Sequence, residues 1–297
     1  MEITFLGTSS AVPTKHRNHT AITLKAFGEV MLFDCGEGTQ RQLIEAKISP
    51  MKIDKIFITH YHGDHILGLA GLIQSIGFRG RTKDLDIYGP KGLTKLINAI
   101  FQLGYFQINY NINIHEIESG VILDSEKYTV EAIETEHNIT NMAYSICEKK
   151  KPKFIRQNAI DLGVPVGPLF GKLQNGESVE VNGKIIKPKQ VLGPKRVGKK
   201  FTYSGDTRPC EQMIKFAKNS DILIHESTYQ EGDKEHAITN CHSTTKESAN
   251  IAKEANVKQL ILTHISTRYS DDEIMKKEAK EVFENTIIAY DYLTVSI

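Results

Sequence analysis

Within Thr59-His60-Tyr61-His62-Gly63-Asp64-His65, four side chains able to bind a metal fall in six positions. Imidazole and carboxylate donors together suit zinc or a similar divalent ion. The run Lys55-Ile56-Phe57-Ile58 before them has strand character, and Ile66 to Ile73 after them fits the first turns of a buried helix. The cluster is therefore expected at a strand end, turning on Gly63 and closing on a helix start. Other strand ends offer ligands one at a time. His137 follows Val130 to Glu136, Asp206 follows Phe201 to Gly205, and His264 follows Leu260 to Thr263. Each alone is more often an ordinary turn residue. Added to the hexapeptide, they reach the number needed for two ions, and one carboxylate can bridge a metal pair about 3.5 Å apart. His225 also ends a strand and rivals His264.

Positioning such residues takes several strand ends on one edge of a layered fold. The pattern reads as a strand at Ile3–Thr8, a hairpin of Thr20–Ala26 with Glu29–Asp34, and a helix over Thr39–Ala46. Further strands are expected at Ile53–Thr59, Leu85–Tyr88, Ile112–Ile117, Tyr128–Thr135, Ala143–Glu148, Lys199–Ser204, Asp221–His225 and Lys258–Thr263. Helices are expected at Lys91–Leu103, from the capping box Thr244-Thr245-Lys246-Glu247 to Asn256, and at 271–285, with a final strand or strand pair in Ile287–Ile297. Two mixed β/α halves, packed sheet against sheet with helices outside, are the simplest arrangement.

The 297 residues, 40% hydrophobic and 25% charged, predict a packed α/β chain and exclude a disordered one. No run reaches membrane-span length, and the first residues start as a strand without a basic leader, so a cytoplasmic protein is expected. Cys35, Cys147, Cys210 and Cys241 are scattered and form no disulfide framework. The net charge of +1 says little about partners, but its distribution does. Residues 149–200 hold five of the nine prolines and seven of the 22 glycines, and no acid occurs between Glu180 and Asp206. Lys149, Lys150, Lys151, Lys153 and Arg156 stand on one side of this segment. Lys184, Lys187, Lys189, Lys195, Arg196, Lys199 and Lys200 stand on the other, in an otherwise neutral chain. Such a segment can neutralise phosphates without reading sequence. A charge run alone would more often be a solvated loop.

His60-Tyr61-His62-Gly63-Asp64-His65 resembles the HxHxDH signature of the metallo-β-lactamase superfamily, with His137, Asp206 and His264 matching its later ligands in order. Pro13-Thr14-Lys15-His16-Arg17-Asn18 resembles the PxKxRN loop of the ribonuclease Z family, the tRNA 3′-processing endonucleases. Leu32 to Gln40, Tyr203 to Arg208, His225 to Thr228, His242 to Thr244 and Thr263 to Tyr269 also fit that family, and Gly163 to Leu173 is similar to the GP-rich arm of its short form. The resemblance implies a four-layer αβ/βα metallo-β-lactamase sandwich, one catalytic domain over 1–297, with a protruding flexible arm at about 149–200 that grips tRNA. It implies two Zn2+ per chain, with Mn2+ or Co2+ as further candidates. His60, His62 and His137 would hold one ion, Asp64, His65 and His264 the other, and Asp206 would bridge them.

On this reading Asp64 is the candidate base, and His242 the candidate acid for the departing oxygen, assigned to the trailer's 5′ position. Glu226 is a weaker candidate for orienting a ligand or histidine. Lys15, Arg17 and Asn18 are expected near the acceptor end of the RNA, and Lys149, Lys150, Lys151, Lys153, Lys195 and Arg196 on its phosphates. Precursor tRNA is the expected partner, a homodimer the expected assembly, and a tRNA keeping a 3′-hydroxyl beside a trailer with a 5′-phosphate the expected products. A hydrolase of small phosphodiesters or sulfate esters is the alternative, and a non-catalytic RNA-binding paralogue a third reading. The basic arm argues against the first, and the intact ligand set against the second.

Overall fold

In the computed structural model, residues 1–104 and 107–297 are described. The chain divides into two compact units. Met1–Asp124, Thr129–Ile146 and Lys200–Ile297 form the larger unit, the body, and Ser125–Tyr128 with Cys147–Lys199 form the smaller, which includes residues 149–199 of the expected arm. In chain order the strands are β1 (Glu2–Gly7), β2 (Ala21–Ala26), β3 (Glu29–Phe33), β4 (Ile53–Phe57), β5 (Leu85–Gly89), β6 (Ile112–Glu116), β7 (Gly120–Asp124), β8 (Tyr128–Thr135), β9 (Asn141–Glu148), β10 (Val179–Val181), β11 (Lys184–Ile186), β12 (Lys200–Tyr203), β13 (Ile222–Glu226), β14 (Gln259–Thr263), β15 (Thr286–Ile288) and β16 (Thr294–Ser296). Two seven-stranded sheets result, ordered β16-β1-β2-β3-β4-β5-β6 and β15-β14-β13-β12-β9-β8-β7. The closing segment Ile287–Ile297 is thus not one pair: β15 joins the second sheet in parallel with β14, while β16 crosses to pair antiparallel with β1.

The helices are α1 (Thr39–Glu45), α2 (Gly63–Ile66), α3 (Leu69–Phe78), α4 (Leu93–Gln102), α5 (Arg156–Asp161), α6 (Pro168–Gln174), α7 (Glu211–Ala217), α8 (Lys234–Thr239), α9 (Thr245–Glu254) and α10 (Glu273–Val282). Strand alternation sorts the side chains into layers. Leu32, Ile56 and Ile87 point outward and pack with Leu43, Leu72, Ile76 and Ile97 of the first helical layer. Leu223, Leu260 and Leu262 pack with Met213, Ala249, Ala252 and Met275 of the second. Between the sheets lies an aromatic cluster. Phe33 stacks on Phe57 at 5.1 Å and meets Phe201 at 5.2 Å, and Phe57 meets Tyr144 at 5.4 Å. This is the expected four-layer sandwich, and it puts rings directly beneath the strand ends that carry the candidate ligands.

The expected helix after the hexapeptide is broken at Gly68 into α2 and α3. The reason is a close approach. A Cβ on Gly68 would stand 2.1 Å from the Gly36 carbonyl oxygen, and the Gly68 N–H donates to the Cys35 carbonyl at 2.9 Å. The Cys35 N–H donates to the His65 carbonyl at 2.7 Å, so the turn after β3 and the hexapeptide are zipped together by main chain.

The arm carries regular structure of its own: α5, α6 and the hairpin β10–β11. Ala159, Val164, Leu173, Val179, Ile186 and Val191 form its buried centre, with Phe154 and Phe170 packed alongside. Its high Gly and Pro content thus goes into turns and helix starts around a small core rather than into a structureless loop.

Candidate metal centre

The parallel strands β4, β12, β13 and β14 all end on one edge, where open α/β sheets place their ligands. His60, His62, Asp64 and His65 follow β4, Asp206 follows β12, and His264 follows β14; His137 follows β8. The structure brings all seven together. One ligand atom each from His60, His62, His137 and Asp206 lie within 4.8 Å of one another, as do those of Asp64, His65 and His264. His60 Nε2 is 3.0 Å from His62 Nδ1, which is 3.3 Å from His137 Nε2. His65 Nε2 is 3.4 Å from His264 Nε2, which is 3.3 Å from Asp64 Oδ2. Two nitrogens bound at about 2.05 Å to a tetrahedral zinc would stand about 3.3 Å apart, so these spacings are compatible with ligands sharing an ion.

Asp206 lies between the two groups. Its Oδ2 is 3.7 Å from His60 Nε2, 3.4 Å from His65 Nε2 and 3.3 Å from His264 Nε2. Its Oδ1 is buried without a hydrogen-bond partner among the described residues. A buried carboxylate oxygen left so is costly unless a cation meets it. Burial would raise the Asp206 carboxyl, but the His264 and His65 charges outweigh it and hold it well below the usual range. The residues therefore fit a metal held by nitrogen and oxygen, and His60, His62, Asp64, His65, His137, Asp206 and His264 are the ones that would hold it.

The outer partners fix which nitrogen each ring presents. His65 Nδ1–H donates to Asp34 Oδ2 at 2.8 Å, His60 Nδ1–H to Thr59 Oγ1 at 2.9 Å, His137 Nδ1–H to the Cys241 carbonyl at 2.8 Å and His264 Nδ1–H to Thr228 Oγ1 at 2.9 Å. All four leave Nε2 as the free acceptor. Asp34, buried at φ 55°, also accepts from the Thr59 N–H at 2.8 Å and from the Tyr203 hydroxyl at 2.8 Å. It lies within the Leu32–Gln40 segment, where the sequence gives it no role of its own. A carboxylate closing a buried strand is its only sequence signal. Backbone strain gathers here as well, since His264 sits at φ 60° and Cys241 at φ 57°. Gly205, at φ 59°, has room for no Cβ: one would lie 2.5 Å from Asn141 Oδ1.

His242 stands beside these residues, and one of its ring nitrogens lies within 4.8 Å of Asp206 and His264 ligand atoms, a third group that could meet a metal. Its Nδ1–H donates to Glu226 Oε1 at 2.8 Å and is 3.9 Å from Asp206 Oδ2. Burial lowers the imidazole's proton affinity, but the Glu226 carboxylate more than offsets this and pushes it up to about 9. Glu226 therefore orients His242. Its Oε1 also accepts from Thr207 N–H at 3.0 Å, and its Oε2 from the Thr228 N–H and hydroxyl at 3.0 and 2.8 Å. His225 is not in the centre: it is fully buried, with Nδ1 turned to the Glu226 carbonyl.

The Pro13–Asn18 loop makes several side-chain contacts within the protein. Arg17 donates to Thr8 Oγ1, the Ala289 carbonyl and Asp272 Oδ2 at 2.7, 2.6 and 2.6 Å, and Asn18 Nδ2 donates to the Glu37 carbonyl at 2.8 Å. These two side chains hold the loop to the body, whereas Lys15 is exposed. In the arm, Lys153, Lys195 and Arg196 are exposed. Lys149 is exposed too, Lys151 donates to Asn175 Oδ1 at 2.9 Å, and Lys150 lies 4.0 Å from Glu148 Oε2.

A family model described as Anti-Pycsar protein Apyc1 matches residues 1–154, which include the hexapeptide and His137, and one described as a Beta-lactamase superfamily domain matches residues 187–265, which include Asp206 and His264. Fold and centre together define a metal-binding hydrolase of the metallo-β-lactamase fold. Curated relatives named Ribonuclease Z are 53% identical in Methanothermobacter thermautotrophicus, over 100% of this chain and 97% of that one, and 46% identical in Methanosarcina acetivorans, over 100% and 98%. The crystal structure of human tRNase Z, short form, matches with a TM-score of 0.75 at 28% identity, over 100% of this chain and 99% of that one. The chain belongs to the ribonuclease Z family.

Proposed function

We propose that this protein is the endoribonuclease that removes the 3′ trailer of precursor tRNA, cutting after the discriminator nucleotide. The observation that carries the reading is a cluster of histidines and aspartates that could hold metal, beside a histidine–carboxylate pair, His242–Glu226, in a chain with full-length ribonuclease Z relatives. Two zinc ions bound there, with manganese or cobalt as substitutes, would acidify a water and neutralise charge on the phosphoryl oxygens.

The chain's own groups do the rest. Asp64 Oδ2 accepts from the Ala11 N–H at 2.8 Å. Burial would raise its carboxyl, but the His264 hydrogen bond and the His65 charge hold it below the usual range. It thus stays anionic, orients the attacking water and accepts its proton, with orientation the larger part of the role. The water oxygen joins phosphorus as the bond to the departing oxygen breaks. Atom balance places that oxygen at the 3′ position of the discriminator ribose, not at the trailer's 5′ position. Only then does the phosphate leave with the trailer and the tRNA keep a 3′-hydroxyl. His242 donates the proton that the departing alkoxide needs.

The basic arm supplies affinity. Residues 149–200 contain 13 Lys and Arg against 3 Asp and Glu, a net of +10, which leaves 24 against 33, or −9, for the remainder. The rest of the chain is thus acidic rather than neutral, and RNA phosphates are attracted to the arm. Lys149, Lys150, Lys151, Lys153, Lys195 and Arg196 are the proposed contacts there, and Lys15 at the acceptor end. Family resemblance supports a homodimer in which one subunit's arm serves the other's centre. No helix among the described residues is long and apolar enough to cross a membrane. A cytoplasmic location is proposed from the tRNA substrate.

Chelator treatment followed by metal readdition tests the metal dependence. Metal-free protein should leave precursor tRNA uncut, and zinc, manganese or cobalt should restore cutting with close to two ions per chain. Full turnover by protein verified as metal-free would sink the proposal.

A further inference from the structure

We infer that Arg208 is a positioning residue for His242, an inference that rests on the reading of His242 as the acid. The guanidinium pairs with Glu247 through both nitrogens, Nη1 to Oε2 at 2.8 Å and Nη2 to Oε1 at 2.7 Å. Nη1 also donates to the main-chain carbonyl of His242. The backbone N–H of Arg208 donates to the Glu136 carbonyl at 2.7 Å, one residue before the ligand His137. Glu247 in turn accepts from the Thr244 N–H at 2.9 Å, as the carboxylate of the α9 capping box. Arg208 therefore ties the peptide of His242 to the start of α9 on one side and to the end of β8 on the other.

The loop needs that tie. The preceding residue, Cys241, sits in the left-handed region at φ 57°, and its carbonyl is held by His137 Nδ1. The His242 ring is held at Nδ1 by Glu226. A ring held at one atom can still pivot about that bond, so its free nitrogen is aimed only when the peptide beneath it is fixed. A planar fork can meet both carboxylate oxygens and the carbonyl at once; an ammonium carries the same charge without that geometry. The Arg208 and Glu247 side chains are only 19% and 13% exposed, so the guanidinium is matched within the protein rather than offered to an RNA phosphate.

The test compares Arg208→Lys and Arg208→Gln on two substrates, a 3′-extended precursor tRNA and bis(p-nitrophenyl) phosphate. Nitrophenolate departs without a proton, whereas a ribose alkoxide does not, so misaiming the acid is felt on RNA alone. With metal content unchanged, kcat on RNA should fall about 10- to 100-fold, while RNA KM and aryl-diester turnover stay within about twofold. Equal loss on both substrates, loss of bound metal, or an unchanged RNA kcat would each overturn the inference. Should Arg208→Gln fold poorly, Arg208→Lys still decides. His242→Ala, run alongside, separates the two levels of the argument. If it lacks the substrate split, the acid assignment fails; if it shows the split and Arg208→Lys does not, only the role of Arg208 fails.

Discussion

Asp34 shows what the individual residue contributes beyond ligation. It is fully buried, and its two oxygens receive the Thr59 main chain, the Tyr203 hydroxyl and the His65 ring. Removing it leaves His65 free to turn or to present the wrong nitrogen. Partners of this kind typically contribute 10- to 100-fold in metal affinity. Asp34→Ala should therefore weaken metal binding by about that factor in a competition titration, with activity largely recovered at saturating metal. Unchanged affinity would mean that His65 is aimed by packing alone. The candidate ligands were legible because type and spacing announce them, and the fold brings them together. Asp34 was not, because its role depends on which ring lies beside it after folding. The contact of Arg17 with Asp272, 255 residues away in sequence, was hidden for a related reason.

The strands that deliver the ligands were mostly readable from alternation, and the capping box at Thr244 and Glu247 forms as its residue types predict. The break between α2 and α3 was hidden, since nothing in an apolar run shows that a distant turn must press against it. Gly68 makes this testable. A Cβ there meets main chain, at 2.1 Å from the Gly36 oxygen, whereas one on Gly71 meets only the tip of the Gln40 side chain, at 2.8 Å. Gly68→Ala should lower the melting temperature sharply and loosen the metal, and Gly71→Ala should do neither. Equal melting temperatures for the two variants would show that the turn can yield, and that close packing there does not set the hexapeptide.

At the scale of the whole molecule, charge is divided between an arm segment of +10 and a remainder of −9, which a net value of +1 conceals. That division predicts a division of labour. Deleting 150–195 should weaken precursor tRNA binding severely, flatten its salt dependence and spare bis(p-nitrophenyl) phosphate turnover. Equal loss on both substrates would place the arm in the catalytic architecture instead. The arm's own core of Ala159, Val164, Leu173, Val179, Ile186 and Val191 was not foreseen, because Gly and Pro content masks a sparse apolar pattern. The central claim is narrower than any of these points: this centre cuts precursor tRNA once, after the discriminator. Incubating the zinc-loaded protein with a 3′-extended precursor tRNA and mapping both product ends tests it most directly. The account predicts a tRNA ending in a 3′-hydroxyl at the discriminator and a trailer beginning with a 5′-phosphate. A 3′-phosphate on the tRNA, stepwise shortening from the trailer's far end, or no cutting of RNA beside brisk hydrolysis of small diesters would contradict it.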